Sequence, residues 1–109
     1  MYYVYMLRCM DNSIYTGITT DVEKRMNDHF SKNENCAKYT LSHNAKKLEA
    51  VWETDCRKNA SKLEYGIKKK LNKKEKELLI QNLISLNKFM GEDSLLYGRK
   101  KLDSLWKKN

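Results

Sequence analysis

Two phenols, a guanidinium and an imidazole are spaced along residues 2–29 so that one site could hold them all. Tyr5 and Tyr15 lie ten residues apart, and Arg25 and His29 lie four apart. An arginine keeps its charge and forks onto two phosphate oxygens. An imidazole can take a proton from a neighbouring hydroxyl or bond a phosphate. A free tyrosine ionises only at about pH 10, so it moves protons near neutrality only beside positive charge. Such a set could hold an anion and move protons beside it. Taken singly, each residue has a plainer reading. Tyr-x-Tyr on a strand is a packing pair. Arg25 is a solvated helix residue or a partner of Asp21 or Asp28, and His29 is a satisfied core histidine. Only the ordered combination outweighs these.

The elements that must position them follow from local pattern. Tyr2 to Cys9 is rich in types that suit a half-buried strand. Met10-Asp11-Asn12-Ser13 is a turn, and Ile14 to Ile18 a second strand. Gly17 lets a ligand or another backbone come close. Thr19-Thr20-Asp21 offers N-cap oxygens for a helix from about Asp21 to Ser31. Its Val22, Met26, His29 and Phe30 make an inward stripe, and i, i+4 spacing puts Arg25 and His29 on one face.

A polar loop, a helical turn over Cys36 to Ser42 and a turn at Ser42-His43-Asn44 lead to a third strand within Lys47 to Asp55. There Leu48, Ala50 and Trp52 alternate with Glu49, Val51 and Glu53. A helix begins at Asp55 or Asn59, with Ala60, Leu63, Ile67 and Leu71 on one face and Glu64 beside it. Lys73 to Phe89 is expected as a second amphipathic stretch, with Leu78, Leu79, Leu83, Leu86 and Phe89 toward the core and Gly91 as its stop. Residues 86–109, with Leu102, Leu105 and Trp106, are too apolar for a pure tail. They are expected to dock as a short helix, or to meet a protein partner or a second copy. The fold class is α+β: a small three-stranded antiparallel sheet flanked by helices.

The 109 residues suit one domain. Lysine and arginine total 22 against 14 acids, a net charge of +8, which points to a polyanion, most simply nucleic acid. Three cysteines without CxxC spacing argue against a disulfide or zinc framework and for a reducing compartment. With no signal peptide pattern and no membrane-length apolar run, the expected location is the cytoplasm, away from the membrane. Lys38, Lys68, Lys69, Lys70 and Lys73 are expected to touch a phosphate backbone, giving salt-sensitive binding with little sequence preference. No added sequence-reading module is present.

These residues resemble the GIY-YIG nuclease superfamily. Its first tripeptide stands here as Tyr3-Val4-Tyr5 and its second as Tyr15-Thr16-Gly17. Arg25 and His29 match the helix signature, and Glu64 matches the later glutamate. YTGITTDVEKR and LEYGIKKKLNKKEK look most like the small stand-alone bacterial subgroup, distant kin of the UvrC nuclease domain and so of DNA repair. The likeness covers about residues 1–85, leaving 86–109 as an extension. Tyr3 and Thr16 depart from the tripeptides, and Lys76 stands where many members carry Asn.

The resemblance implies a metal-dependent DNA endonuclease. Tyr5 would be the general base and Tyr15 would line the same pocket. Arg25 would bind phosphate, and His29 would take a proton from a tyrosine or bond the phosphate. Glu64 would hold one divalent ion, Mg²⁺ or Mn²⁺, because a single carboxylate cannot support a two-metal site. Branched or single-stranded DNA would suit a nuclease lacking a sequence reader. The alternative is a non-catalytic nucleic-acid-binding module that keeps the fold; a third reading is an adaptor acting through the C-terminal segment.

Overall fold

The computed structural model describes residues 1–109. Strands β1 (Tyr2–Cys9), β2 (Ile14–Thr19), β3 (Ala45–Thr54) and β4 (Gly98–Arg99) form one antiparallel sheet in the order β2-β1-β3-β4. The helices are α1 (Val22–Ser31), α2 (Lys38–His43), α3 (Arg57–Lys70), α4 (Lys73–Ile80) and α5 (Asn87–Met90), followed by 3₁₀ turns at Gly91–Leu96 and Leu102–Ser104.

The sheet is covered on both faces, which is why β1 is buried from Val4 through Cys9 rather than on alternate residues. Val4, Met6, Ala50 and Trp52 pack with Ala60, Leu63, Ile67 and Leu71, together with Leu79, Leu86 and Tyr97. Tyr5, Leu7, Leu48 and Val51 pack with Val22 and Met26 of α1 and with Trp106. Leu48 thus faces the opposite side from Ala50 and Trp52, against the simple alternation expected for this strand. The cause is a break in register: Met6 pairs with Ala50 but Leu7 pairs with Leu48, leaving Glu49 as an extra residue in β3. A bulge adds one residue to one strand and turns the side chains beyond it over. It also frees Glu49 to bond Arg8.

Three other expectations change. A fourth strand joins the sheet: Arg99 pairs with Trp52 and Gly98 with Glu53, and the guanidinium of Arg99 lies 5.0 Å from the Trp52 ring. The stretch expected over Lys73 to Phe89 is broken, because α4 stops at Ile80 and Asn82 takes φ 60°. A side chain amide tolerates that left-handed conformation, and the helix cannot continue through it. Leu83, expected in the core, is consequently 67% exposed. Residues 86–109 also form no single helix. They supply the short helix α5, two 3₁₀ turns and β4, and bury Leu86, Tyr97 and Trp106 on the core.

The helix starts are written locally. Asp21 caps α1 by accepting from Lys24 N, and Asn72 and Glu75 form a reciprocal capping box on α4.

Candidate active site

Tyr5 lies opposite Gly17 across the β1–β2 ladder, and Tyr15 lies opposite Leu7, so both phenols leave the sheet on the α1 side. Gly17 has a specific reason to be glycine. A Cβ there would sit 2.5 Å from the Tyr5 hydroxyl oxygen, so only a bare backbone lets the ring lie across β2.

Helix α1 closes over this spot. Tyr5, 1% exposed, places its hydroxyl 2.7 Å from Nε2 of the fully buried His29. Arg25 Nε donates to the same oxygen at 3.4 Å, Nη1 donates to the Asn35 carbonyl at 2.5 Å, and Asp28 lies 3.8 Å from the guanidinium. Tyr15 completes the cluster, with its ring centroid 6.2 Å from that of Tyr5 and 5.6 Å from that of His29.

Glu64 comes from α3, which packs on the other face of the sheet and also touches the edge strand β2. Lys68 Nζ lies 3.3 Å from Glu64 Oε2 and 5.6 Å from the centre of the Tyr15 ring. The Glu64 charge is felt at the Tyr5 hydroxyl. Tyr5, Tyr15, Arg25 and His29 are therefore in direct contact, and Glu64 joins them through Lys68.

Burial sets the resting protonation. It raises the Tyr5 pKa well above the ordinary phenol value, with Arg25 opposing the rise and Glu64 adding to it. Burial, then the Arg25 charge, lowers His29 from 6.5 to about 4. At neutral pH both groups are uncharged. This has a consequence for stability. The unfolded chain binds a proton at His29 below about pH 6.5, whereas the folded protein resists it until about pH 4. The stability gained from keeping His29 neutral is whole above the upper value and is lost as pH falls toward the lower one, on the order of 2–3 kcal/mol. Urea unfolding at pH 7 and pH 4.5 checks this: wild type should lose more stability than a His29→Gln variant. Equal losses would contradict it.

The expected lysines sit in several settings. Lys68 stands at the site. Lys73 bonds the Asn12 carbonyl and Lys38 is exposed on α2. Lys69 is exposed, and Lys70 lines a groove of 430 Å³ on the other flank of α3, with Tyr65, Phe89 and Met90. Lys76, in the place of the usual Asn, is half-buried, and its pKa is lowered by burial and by the charges of Lys73 and Lys68.

Two neighbours were not foreseen, both on α2. The Tyr39 ring stacks on Tyr15 at 5.5 Å and on His43 at 4.1 Å. Thr40 Oγ1 lies 2.7 Å from His29 Nδ1. The i, i+4 spacing of Tyr39 and His43 was a signal for the stack; nothing local singled out Thr40. His43, given no role from sequence, is paired with Asp11.

Residues 1–77 match the family model described as the GIY-YIG catalytic domain. The UPF0213 protein FN1575 of Fusobacterium nucleatum is 47% identical over 78 residues, covering 72% of this chain and 76% of the relative. The UPF0213 protein YsiG of Lactococcus lactis is 39% identical over 89 residues, covering 82% and 84%. The solution structure of the UPF0213 protein BH0048 from Bacillus halodurans aligns over 87% of this chain and 94% of that one, with 35% identity and a TM-score of 0.48. No helix is long and apolar enough to cross a membrane. With Tyr-x-Tyr, Tyr-x-Gly, Arg25, His29 and Glu64 all inside the matched residues, the chain belongs to the GIY-YIG catalytic domain family, among the small stand-alone UPF0213 proteins.

Proposed function

We propose that the chain is a metal-dependent endonuclease that hydrolyses phosphodiester bonds in DNA. The observation that carries this is the buried 2.7 Å contact between the Tyr5 hydroxyl and His29 Nε2, with the Arg25 guanidinium on the same oxygen. A resting phenol is a poor base, and Tyr5 is a weaker acid still through burial. The adjacent imidazole is the acceptor within reach for its proton; burial lowers that ring's pKa to about 4, so the transfer is uphill in the resting site and the phenolate depends on the Arg25 charge beside it. Tyr5 passes that proton to His29 and draws one from a water as the water oxygen attacks phosphorus. Arg25 holds the phosphate oxygens and stabilises the charge that grows on them. Tyr15 lines the pocket and orients phosphate or water. The departing sugar oxygen takes its proton from solvent.

Glu64 is the residue that would hold a divalent ion. Its carboxylate, with a side chain 27% exposed, stands outside any cluster of three or more acid, His or Cys ligands. This fits an ion attached through one carboxylate and otherwise hydrated; Mg²⁺ and Mn²⁺ both suit such oxygen ligation. When bound, the ion would polarise phosphate oxygens. Lys68 must release Glu64 for this, and an exposed i, i+4 pair is weak enough to do so.

That same pair, with Lys76 beside it, favours a second reading, a nucleic-acid-binding module without catalysis. One assay separates the two. Supercoiled plasmid and branched and single-stranded DNA are incubated with the protein in Mg²⁺ or Mn²⁺ and in chelator. Nicking that requires the ion is expected, with binding that weakens as salt rises. Retardation of DNA with no cleavage in either metal would overturn the enzymatic reading and leave the binding one.

A further inference from the structure

Thr40 is the wholly buried residue of α2, and both sides of its hydroxyl are engaged. Its oxygen lies 2.7 Å from His29 Nδ1 and 3.1 Å from the Ala37 carbonyl oxygen. Its single hydrogen can go to the Ala37 carbonyl, which also accepts from Leu41 N, or to Nδ1, so the contact at Thr40 alone allows either tautomer. The hydrogen count at Tyr5 selects Nδ1 as the protonated ring nitrogen. Nε2 is left with a lone pair, and the Tyr5 hydroxyl donates to it across 2.7 Å.

The opposite assignment fails on a hydrogen count. With the ring proton on Nε2, the Tyr5 oxygen would face two donors, His29 Nε2 and Arg25 Nε. Its own hydrogen would then have no acceptor among these partners, in a residue only 1% exposed. Buried donors are rarely left so, because an unmade bond costs the full desolvation of the group.

We propose that Thr40 is a positioning residue: held by the Ala37 carbonyl, its hydroxyl fixes His29 in the Nδ1–H tautomer and so makes Nε2 the acceptor for the Tyr5 proton. The inference rests on the reading of Tyr5 as general base and adds what makes that base usable. In the step, the Tyr5 O–H bond breaks and an Nε2–H bond forms. The ring becomes an imidazolium that still donates Nδ1–H to Thr40. The phenolate then takes a proton from the attacking water as its oxygen bonds phosphorus. Helix α2 thus acts on both phenols, through Thr40 on His29 and Tyr5, and through the Tyr39 ring stacked on Tyr15.

Two measurements test this, one of which needs no activity. Nitrogen NMR of the His29 ring, without DNA or metal, should find a pyrrole-type Nδ1 and a pyridine-type Nε2. Thr40→Val removes the acceptor and should shift the ring toward the other tautomer, while Thr40→Ser should keep the wild-type spectrum. In cleavage assays Thr40→Val should lower kcat about 100-fold with little change in KM, and Thr40→Ser should return it to within about threefold. A wild-type ring protonated at Nε2 would overturn the inference whatever the activity. So would a Thr40→Val protein that changes tautomer but cleaves at the wild-type rate. If the spectra behave as expected and wild type cleaves no DNA, the nuclease reading fails and the catalytic part of the inference with it, while the tautomer assignment stands.

Discussion

Arg25→Ala and Glu64→Ala should each reduce plasmid nicking by about 10³-fold or more, while binding of DNA in chelator falls only a few-fold. The size follows from where the charges act. A positioned guanidinium works on charge that develops as the phosphate passes through its transition state, and such groups contribute about 10³–10⁵ in rate in other phosphoryl-transfer sites. Arg25 is suited to this because Tyr5 and Asn35 hold it in place at its Nε and Nη1, and a side chain fixed beforehand need not reorganise during reaction. Arg25→Lys should rescue little, because an ammonium keeps the charge but loses the planar fork. Glu64→Ala would remove the carboxylate proposed to hold the ion. Ground-state affinity should change less, since it is spread over many lysines outside the cluster. Nicking by Arg25→Ala at the wild-type rate, in a protein whose thermal unfolding is unchanged, would remove Arg25 from the mechanism.

Arg8→Met should cost about 3–5 kcal/mol of stability, the largest single loss expected outside the apolar core. Arg8 is only 9% exposed and ties three parts of the fold together. Its Nε donates to Glu49 Oε2 at 3.0 Å, and its Nη1 and Nη2 fork onto Glu77 at 2.6 and 2.5 Å. It also reaches the Asn12 carbonyl at 3.3 Å. One cation thus fastens α4 and the β1–β2 turn to the β3 bulge. Its removal leaves two half-buried carboxylates facing each other with no shared counter-charge. Arg8 itself is held charged, chiefly by the Glu77 hydrogen bond, and Glu77 is lowered below its ordinary value of 4.5, chiefly by Arg8. A lowered carboxyl contributes stability above its unfolded pKa and loses it as pH falls through the folded one. The gap between wild type and Arg8→Met should therefore be widest near neutrality and close below about pH 4.5. Chemical denaturation across this range measures it. Replacing all three charges together, with Glu49→Leu and Glu77→Leu added, should recover much of the loss, because the cost lies in the stranded carboxylates. A single variant as stable as wild type at pH 7 would contradict the account.

The two effects bear on different parts of one machine. Arg25 acts on the α1 side, where Tyr5, Tyr15 and His29 meet. Arg8 anchors α4, whose Lys76 feels the charges of Lys68 and Lys73. A weakened anchor at Arg8 should therefore disturb the lysine surroundings of Glu64 before it disturbs the Tyr5–His29 contact.

What residue order alone determined about this protein is its local grammar and the family it belongs to. Tyr2 to Cys9, the turn at Asp11-Asn12, the Asp21 cap, the inward stripe of α1 and the Ala60-Leu63-Ile67 stripe of α3 are written within a few residues of where they act. The four-residue spacing of Arg25 and His29 puts both on one helix face whatever surrounds the helix. What only the tertiary structure decided involves partners far apart in the chain. The Glu49 bulge, which sends Leu48 to the opposite face from Ala50, arises from pairing with β1. The fourth strand depends on Arg99 reaching Trp52, and the same Arg99 bonds the Leu79 and Ile80 carbonyls and the Asn82 side chain at the end of α4. Arg8 looked like one more strand residue until Glu77 arrived from 69 positions away. Thr40 looked like one residue of a short helical turn until folding set it against a ring eleven residues earlier. Periodicity and capping are short-range properties and can be read in order. A hydrogen-bond partner or a bulge is chosen by whatever buried polar group or strand lies opposite, and that choice exists only once the chain has closed on itself.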